Sequence, residues 1–407
     1  MKRNISVGVV VIGDIGRSPR MQYHAYSLGK EEFDVKILGY NETSCNDKLV
    51  KNSQLIHIKP PPLLFANAPR LFHFILKVFW TAFFLFVALI QNGRFHVLLV
   101  QNPPAIPSLA VCWLYCLIFR SKLIVDWHNF GYSVLSMSVG PQHLLVKISL
   151  IYEKFFGRLS HYNLCVTNAM KEYLKNDWEI EAATLYDKPG PTMLPSISEV
   201  EKNDLFHRLS QSYGELERFD SSTAVLISST SWTEDEDFSI LLEALKEYDT
   251  SDSEDLPFLI CIITGKGPLK NYYQNVIKES IWNRVLIVTP WLEAEDYPRL
   301  LASANLGVCL HTSASGLDLP MKIVDMFGCK LPVLAYDYPC LSELLRHNEN
   351  GMVFENSSQL ADQLKQWFRN FPDVQEQHVK FRRNIDKFLE TDWHSNWTEN
   401  ALPLFLN

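Results

Sequence analysis

Residues 311–333, HTSASGLDLPMKIVDMFGCKLPV, combine hydroxyl, carboxylate and ammonium side chains in one loop–helix stretch. A hydroxyl-rich turn with Ser313, Ser315 and Gly316 runs into Asp318, Leu319 and Pro320. A helical stretch follows, with Lys322 and Asp325 one turn apart. Proline suits the first turn of a helix, where its missing N–H would have no partner anyway. A loop that feeds a helix N-terminus aims free N–H groups and a partial positive charge at an anion. Lys322 adds a full charge, and Asp325 can accept from sugar hydroxyls. Such a loop can hold a diphosphate and a ribose together. An ordinary αβ unit with a capped helix would read the same way from this segment alone.

Other polar loops also follow β-branched runs. After the first comes Gly13-Asp14-Ile15-Gly16-Arg17. Gly16 permits close backbone approach to a ligand, and Arg17 offers a phosphate fork. The spacing is not GxGxxG, so a dinucleotide fingerprint is absent. In Asp126-Trp127-His128-Asn129, a functional and a structural histidine weigh about equally. In residues 228–237, SSTSWTEDED, hydroxyls and N–H groups around Ser231 suit phosphate, whereas the acidic run suits the first turn of the next helix. Gly265-Lys266-Gly267 is a strand-end turn suited to phosphate or nucleoside contact. Trp291 suits either a base pocket or packing.

The elements that must position these loops alternate. Strands are expected at 7–12, 34–40, 54–58, 97–101, 123–126 and 164–167, with helices at 21–30, 72–91, 107–120 and 143–158. Alternation of this kind implies a doubly wound parallel sheet. The pattern breaks near Pro189, Gly190, Pro191 and Pro195, then restarts at 224–229, 258–264, 285–288, 306–311 and 332–335. The expected organisation is α/β: a first Rossmann-like domain over 1–190, a connection over 191–221 and a second Rossmann-like domain over 222–390. A C-terminal segment, 391–407, could return to the first domain. Loops at the carboxyl ends of such strands form ligand crevices.

Composition narrows the class. The chain has 407 residues, 47% hydrophobic and 21% charged, as globular proteins do. A net charge of −8 does not suggest a nucleic-acid partner. The eight cysteines form no CxxC pair, which argues against zinc or a redox motif. The N-terminus does not read as a signal peptide. Residues 72–90, FHFILKVFWTAFFLFVALI, are apolar and aromatic, but Lys77 leaves a charge-free core of only 78–90. A span needs about twenty residues. A shallow membrane-seated helix and a core helix therefore weigh equally, and a true span is the minor reading.

Several whole segments resemble one family. They include GDIGRSPRMQYHA (13–25), QNPPAIPSLAV (101–111), DWHNFGYS (126–133), ITGKGPL (263–269), TPWLEAEDYP (289–298) and the 311–333 stretch. Together with further matches in both halves, they resemble the eukaryotic chitobiosyldiphosphodolichol β-mannosyltransferases. The resemblance implies a GT-B fold, with two Rossmann-like domains facing across a cleft. It implies inverting transfer of mannose from GDP-mannose to GlcNAc₂-diphosphate-dolichol on the cytosolic face of the endoplasmic reticulum membrane. Other lipid-linked oligosaccharide glycosyltransferases are conceivable neighbours there. Asp14 is then the first candidate general base and His128 the second. Arg17, Lys266 and Lys322 are the diphosphate candidates, and Asp325 is the ribose candidate. No Asp-x-Asp motif stands in a credible place, so no obligatory metal or other cofactor is expected. Members of the family commonly carry an N-terminal membrane anchor. Either an anchor is missing from this sequence, or attachment rests on residues 72–90. Two alternatives stay open: a glycosyltransferase with a soluble acceptor, and a non-catalytic scaffold of the same fold.

Overall fold

The structure, a computed structural model, describes residues 5–62, 70–220, 222–293 and 295–406. The chain divides into two compact units, Met1–Asp187 with Trp393–Asn407, and Lys188–Asp392.

The first unit runs β1 (Ser6–Asp14), α1 (Pro19–Lys30), β2 (Asp34–Tyr40), α2 (Asp47–Val50), β3 (Ser53–His57), α3 (Arg70–Gln91), β4 (Val97–Asn102), α4 (Ser108–Phe119), β5 (Lys122–Trp127), α5 (Gly131–Val139), α6 (Leu144–Arg158), β6 (Tyr162–Cys165), α7 (Asn168–Trp178) and β7 (Ala183–Thr184). Its sheet is parallel throughout, in the order β3-β2-β1-β4-β5-β6-β7. Val7, Val9 and Val10 of β1 and Leu98, Leu99 and Val100 of β4 are buried in unbroken runs. A parallel sheet covered by helices on both faces requires such runs. The winding reverses between β1 and β4, where such sheets take their ligands.

The second unit runs α8 (Glu199–Ser212), β8 (Ala224–Ser229), α9 (Phe238–Asp249), β9 (Leu259–Thr264), α10 (Lys270–Glu279), β10 (Val285–Val288), α11 (Asp296–Ser303), β11 (Leu306–Cys309), α12 (Met321–Gly328), β12 (Val333–Tyr336), β13 (Gly351–Phe354), α13 (Ser357–Phe368) and α14 (Glu376–Leu389). Its parallel order, β10-β9-β8-β11-β12-β13, repeats the pattern of the first sheet and reverses between β8 and β11.

Residues 191–221, expected as a connection, belong to the second unit. Leu205, Phe206 and Leu209 on α8, with Leu216, join the core around Ile227 and Ile262. A capping box starts that helix: Ser198 Oγ accepts from Glu201 N (3.2 Å), and Glu201 Oε2 accepts from Ser198 N (2.9 Å). The first unit ends at Asp187, whose carboxylate accepts from Arg20 Nη1 of α1 at 2.7 Å. The last helices, α15 (Trp393–Asn400) and α16 (Leu402–Leu406), pack on the first unit. There Trp393 Nε1 donates to the Tyr23 carbonyl (3.0 Å), and the Phe405 ring lies 6.2 Å from that of Phe33.

Helix α3 corrects the length expected from its charge-free core. It is 22 residues long, and residues 72–91 are long and apolar enough to cross a membrane. Yet Thr81, Leu85, Ala88 and Leu89 are buried, a stripe at helical spacing that packs against the first unit. Phe72, Phe79 and Phe83 point outward, Phe79 being 71% exposed.

Candidate active site

In the second unit the loops after β8 and β11 meet at the point of reversal. Thr312 donates to the Asp235 carbonyl from both its backbone N (3.1 Å) and its Oγ1 (2.9 Å). His311 lies between two carboxylates, with Nδ1 3.2 Å from Asp235 Oδ2 and Nε2 3.5 Å from Asp318 Oδ2. Burial alone would lower its pKa, but the two carboxylates outweigh burial and raise it to about 9. The imidazole is therefore cationic at neutral pH. Asp318 is held in turn by the hydroxyls of Ser313 and Ser315. Gly316, at φ +72°, turns the loop in a region that glycine adopts without steric cost.

Lys322, on the first turn of α12, is paired with Glu236. That carboxylate is buried and also accepts from Thr230 Oγ1 (2.5 Å) and Ser231 N (3.0 Å). The Ser231 N–H expected to face phosphate is thus already engaged. The acidic run does not cap as expected. Only Asp237 caps α9, accepting from Ser239 N at 2.9 Å, while Asp235 and Glu236 turn inward to His311 and Lys322. Asp325 lies near the Tyr297 hydroxyl, whose pKa burial and the Asp325 charge together push well up.

The Gly265-Lys266-Gly267 turn packs over the Thr230–Ser231 backbone. A Cβ on Gly265 would stand 1.8 Å from the Thr230 carbonyl oxygen, and one on Gly267 would stand 1.7 Å from that of Ser231. These glycines therefore serve chain-to-chain approach. Lys266 Nζ sits 3.5 Å above the centre of the Trp291 ring, which is half exposed. One face of that indole is therefore taken by a cation.

In the first unit the expected residues fare differently. Asp14 Oδ1 accepts from the backbone N of Gly16 (3.3 Å), Glu42 (3.1 Å) and Thr43 (3.1 Å), and Oδ2 accepts from Thr43 Oγ1 (2.5 Å). Burial alone would raise its pKa, but these donors outweigh it and the net shift is downward. A carboxylate so saturated is a poor proton acceptor; its geometry is that of a cap joining two loops. Gly16 likewise makes room for Thr43, since a Cβ there would meet Thr43 Oγ1 at 2.3 Å. Around Gly13 the space is open. Arg17 is largely exposed, with Nε 3.6 Å from Asp14.

His128, just past β5, is 22% exposed and has Nε2 2.7 Å from Asp126 Oδ2. Asp126 is fully buried and grips Arg20 in a bidentate pair, Nε and Nη2 each at 2.9 Å. Burial would raise the Asp126 pKa, but Arg20, His128 and His24 hold it well below the usual carboxylate range. The loop after His128 is held by buried Glu153, which accepts from Gly131 N (2.7 Å), Tyr132 N (2.9 Å) and Asn102 Nδ2 (2.8 Å). Arg20, Glu153, Glu236 and His311 were not singled out from sequence. Each has a partner far along the chain, such as Asp126 for Arg20 at 106 positions and Lys322 for Glu236 at 86.

Two doubly wound units, each with polar loops at its point of reversal, are the architecture of GT-B glycosyltransferases. Residues 215–388 match the family model for glycosyl transferases group 1. A crystal structure of Anabaena HepE with UDP-glucose shares the fold, with a TM-score of 0.68 at 16% identity over 98% of this chain and 99% of that one. The chain is 46% identical to the human chitobiosyldiphosphodolichol β-mannosyltransferase, covering 98% of this chain and 92% of the relative. It is 45% identical to the mouse protein of that name, covering 97% and 88%. The chain belongs to the chitobiosyldiphosphodolichol β-mannosyltransferase family.

Proposed function

We propose that the chain transfers mannose from GDP-mannose to GlcNAc₂-diphosphate-dolichol with inversion, giving a β-1,4 bond, at the cytosolic face of the endoplasmic reticulum membrane. The observation that carries the chemistry is His128, a partly exposed imidazole seated on a buried, ionised carboxylate at a strand end. In this reading the acceptor hydroxyl attacks the anomeric carbon opposite the leaving GDP. His128 takes the hydroxyl proton as the new C–O bond forms, and the bond to the GDP oxygen breaks. In the second unit Lys322 and Lys266 exchange their present partners, Glu236 and the Trp291 ring, for the departing diphosphate, and Asp325 accepts from the ribose. Cationic side chains then carry the leaving group, so no metal is required.

The face of α3 supports a lipid acceptor. The neighbouring helices also expose apolar side chains, Leu117 and Ile118 on α4 and Leu144, Ile151 and Phe155 on α6. Exposed large apolar side chains on neighbouring helices suit an interaction site. A helix with one stripe buried in its own domain and the other apolar and outward suits a seat in the plane of a membrane. That face argues against a soluble acceptor, and the seating of His128 argues against a non-catalytic scaffold.

The test is donor choice by the detergent-purified enzyme with a lipid-diphosphate-chitobiose acceptor. Turnover with GDP-mannose that persists in EDTA, with little turnover from UDP-sugars, is expected. Preference for a UDP-sugar, or loss of activity in EDTA, would overturn the donor or metal reading respectively.

A further inference from the structure

A chain of hydrogen bonds runs from the C-terminal helix to His128, and its chemistry leaves one protonation pattern. Trp397 Nε1 donates to His24 Nδ1 at 2.9 Å. Indole N–H can only donate, so His24 Nδ1 carries no proton. His24 is fully buried, and its Nε2, 3.0 Å from Asp126 Oδ2, must then hold the ring proton and donate it. The lowered pKa of His24, set first by burial, agrees with a neutral ring. Asp126 is ionised, because Arg20 grips both its oxygens. At 2.7 Å from that carboxylate, His128 Nε2 must also carry a proton. The lone pair of neutral His128 therefore lies on Nδ1, which takes no hydrogen bond among the described residues.

We propose that Trp397, acting through His24, together with Arg20 fixes Asp126 so that His128 presents Nδ1 as the proton acceptor. The C-terminal helix Trp393–Asn400 is thus a positioning element for the acceptor-side base, although it is the last part of its unit to be made. The inference rests on the reading of His128 as the base. Asp126 is a positioning residue that sets the tautomer and stabilises the imidazolium formed in transfer. The charged and titratable groups around it are Arg20 and His24 from α1, Asp187 beyond β7 and Cys165 on β6. Without the Trp397 donor, the single ring proton of His24 can pass to Nδ1. The Nε2 lone pair then faces Asp126, which loses a donor and holds the His128 imidazolium less firmly.

The test compares His128→Gln, Asp126→Asn and Trp397→Phe in the full-length enzyme, together with replacement of the Trp397 indole by its benzothiophene isostere, which removes only the N–H. For Asp126→Asn we expect kcat to fall by about 10²-fold or more, with the KM for GDP-mannose within about two-fold of wild type. The benzothiophene variant should keep its melting temperature and GDP affinity, lose about ten-fold in kcat and move the acidic limb of its pH–rate profile to lower pH. Imidazole ¹⁵N shifts should show a proton on Nε2 of both His24 and His128 in the wild type. An active His128→Gln enzyme would remove the base reading itself. An inactive His128→Gln enzyme beside a benzothiophene variant with wild-type kcat and pH profile would overturn the positioning role alone. A proton on His128 Nδ1 in the neutral wild-type enzyme would overturn the tautomer assignment whatever the kinetics.

Discussion

At the scale of single residues, the two candidate bases separate on where their hydrogen-bonding capacity goes. Asp14 spends both oxygens on the 42–43 loop, whereas His128 keeps one ring nitrogen unengaged among the described residues. Asp14→Asn should therefore act on folding more than on chemistry. Loss of charge-assisted bonds to Thr43 and Glu42 should cost about 1–3 kcal/mol, read as a lower denaturant midpoint. A folded Asp14→Asn enzyme without turnover would return the base role to Asp14. Lys322 poses the converse problem, since Glu236 already neutralises it. Lys322→Ala should weaken GDP binding by about 1–3 kcal/mol, measured by calorimetry. It also strands a buried carboxylate, which typically costs about 3–5 kcal/mol. Adding Glu236→Gln should restore the melting temperature but not the GDP affinity. Recovery of both would make the pair purely structural.

At the scale of elements, His311 ties the loop after β11 to the loop after β8. Its folded pKa of about 9 lies above the ordinary 6.5. The stabilisation is then complete below about pH 6.5 and lost as pH rises through 9, amounting to roughly 3 kcal/mol. Thermal melts of wild type and His311→Gln from pH 6 to 10 should converge at the alkaline end; parallel curves would contradict the latch. The alternating strands were legible because buried parallel strands are continuous β-branched runs, as at 7–12 and 259–263. The short strands β7 and β13, and helices α5 and α7, were not singled out. The glycine loops were legible as turns, but not the backbone each of them packs against. Gly16, Gly265 and Gly267 each admit another stretch of this same chain, and local sequence does not show which backbone will arrive.

At the scale of the whole molecule, the two-unit organisation could be read from the break and restart of the alternation. Its seams could not, because Asp187 and Trp397 are claimed by partners on α1 that lie 167 and 373 positions away. The apolar face of α3, α4 and α6 gives the first unit a surface suited to lipid. Phe79→Ser with Phe83→Ser should release the protein from microsomes and depress transfer to the lipid acceptor, while leaving GDP affinity within about two-fold, since both rings are exposed. Loss of GDP binding together with unfolding would mean that the rings are structural. The most direct measurement of the central claim is the product itself. The purified enzyme is incubated with GDP-mannose and lipid-diphosphate-chitobiose, and the released oligosaccharide is digested with β-mannosidase or α-mannosidase. A single added mannose that only β-mannosidase removes is expected; a mannose removed by α-mannosidase, or no transfer by folded enzyme, would overturn the proposed reaction.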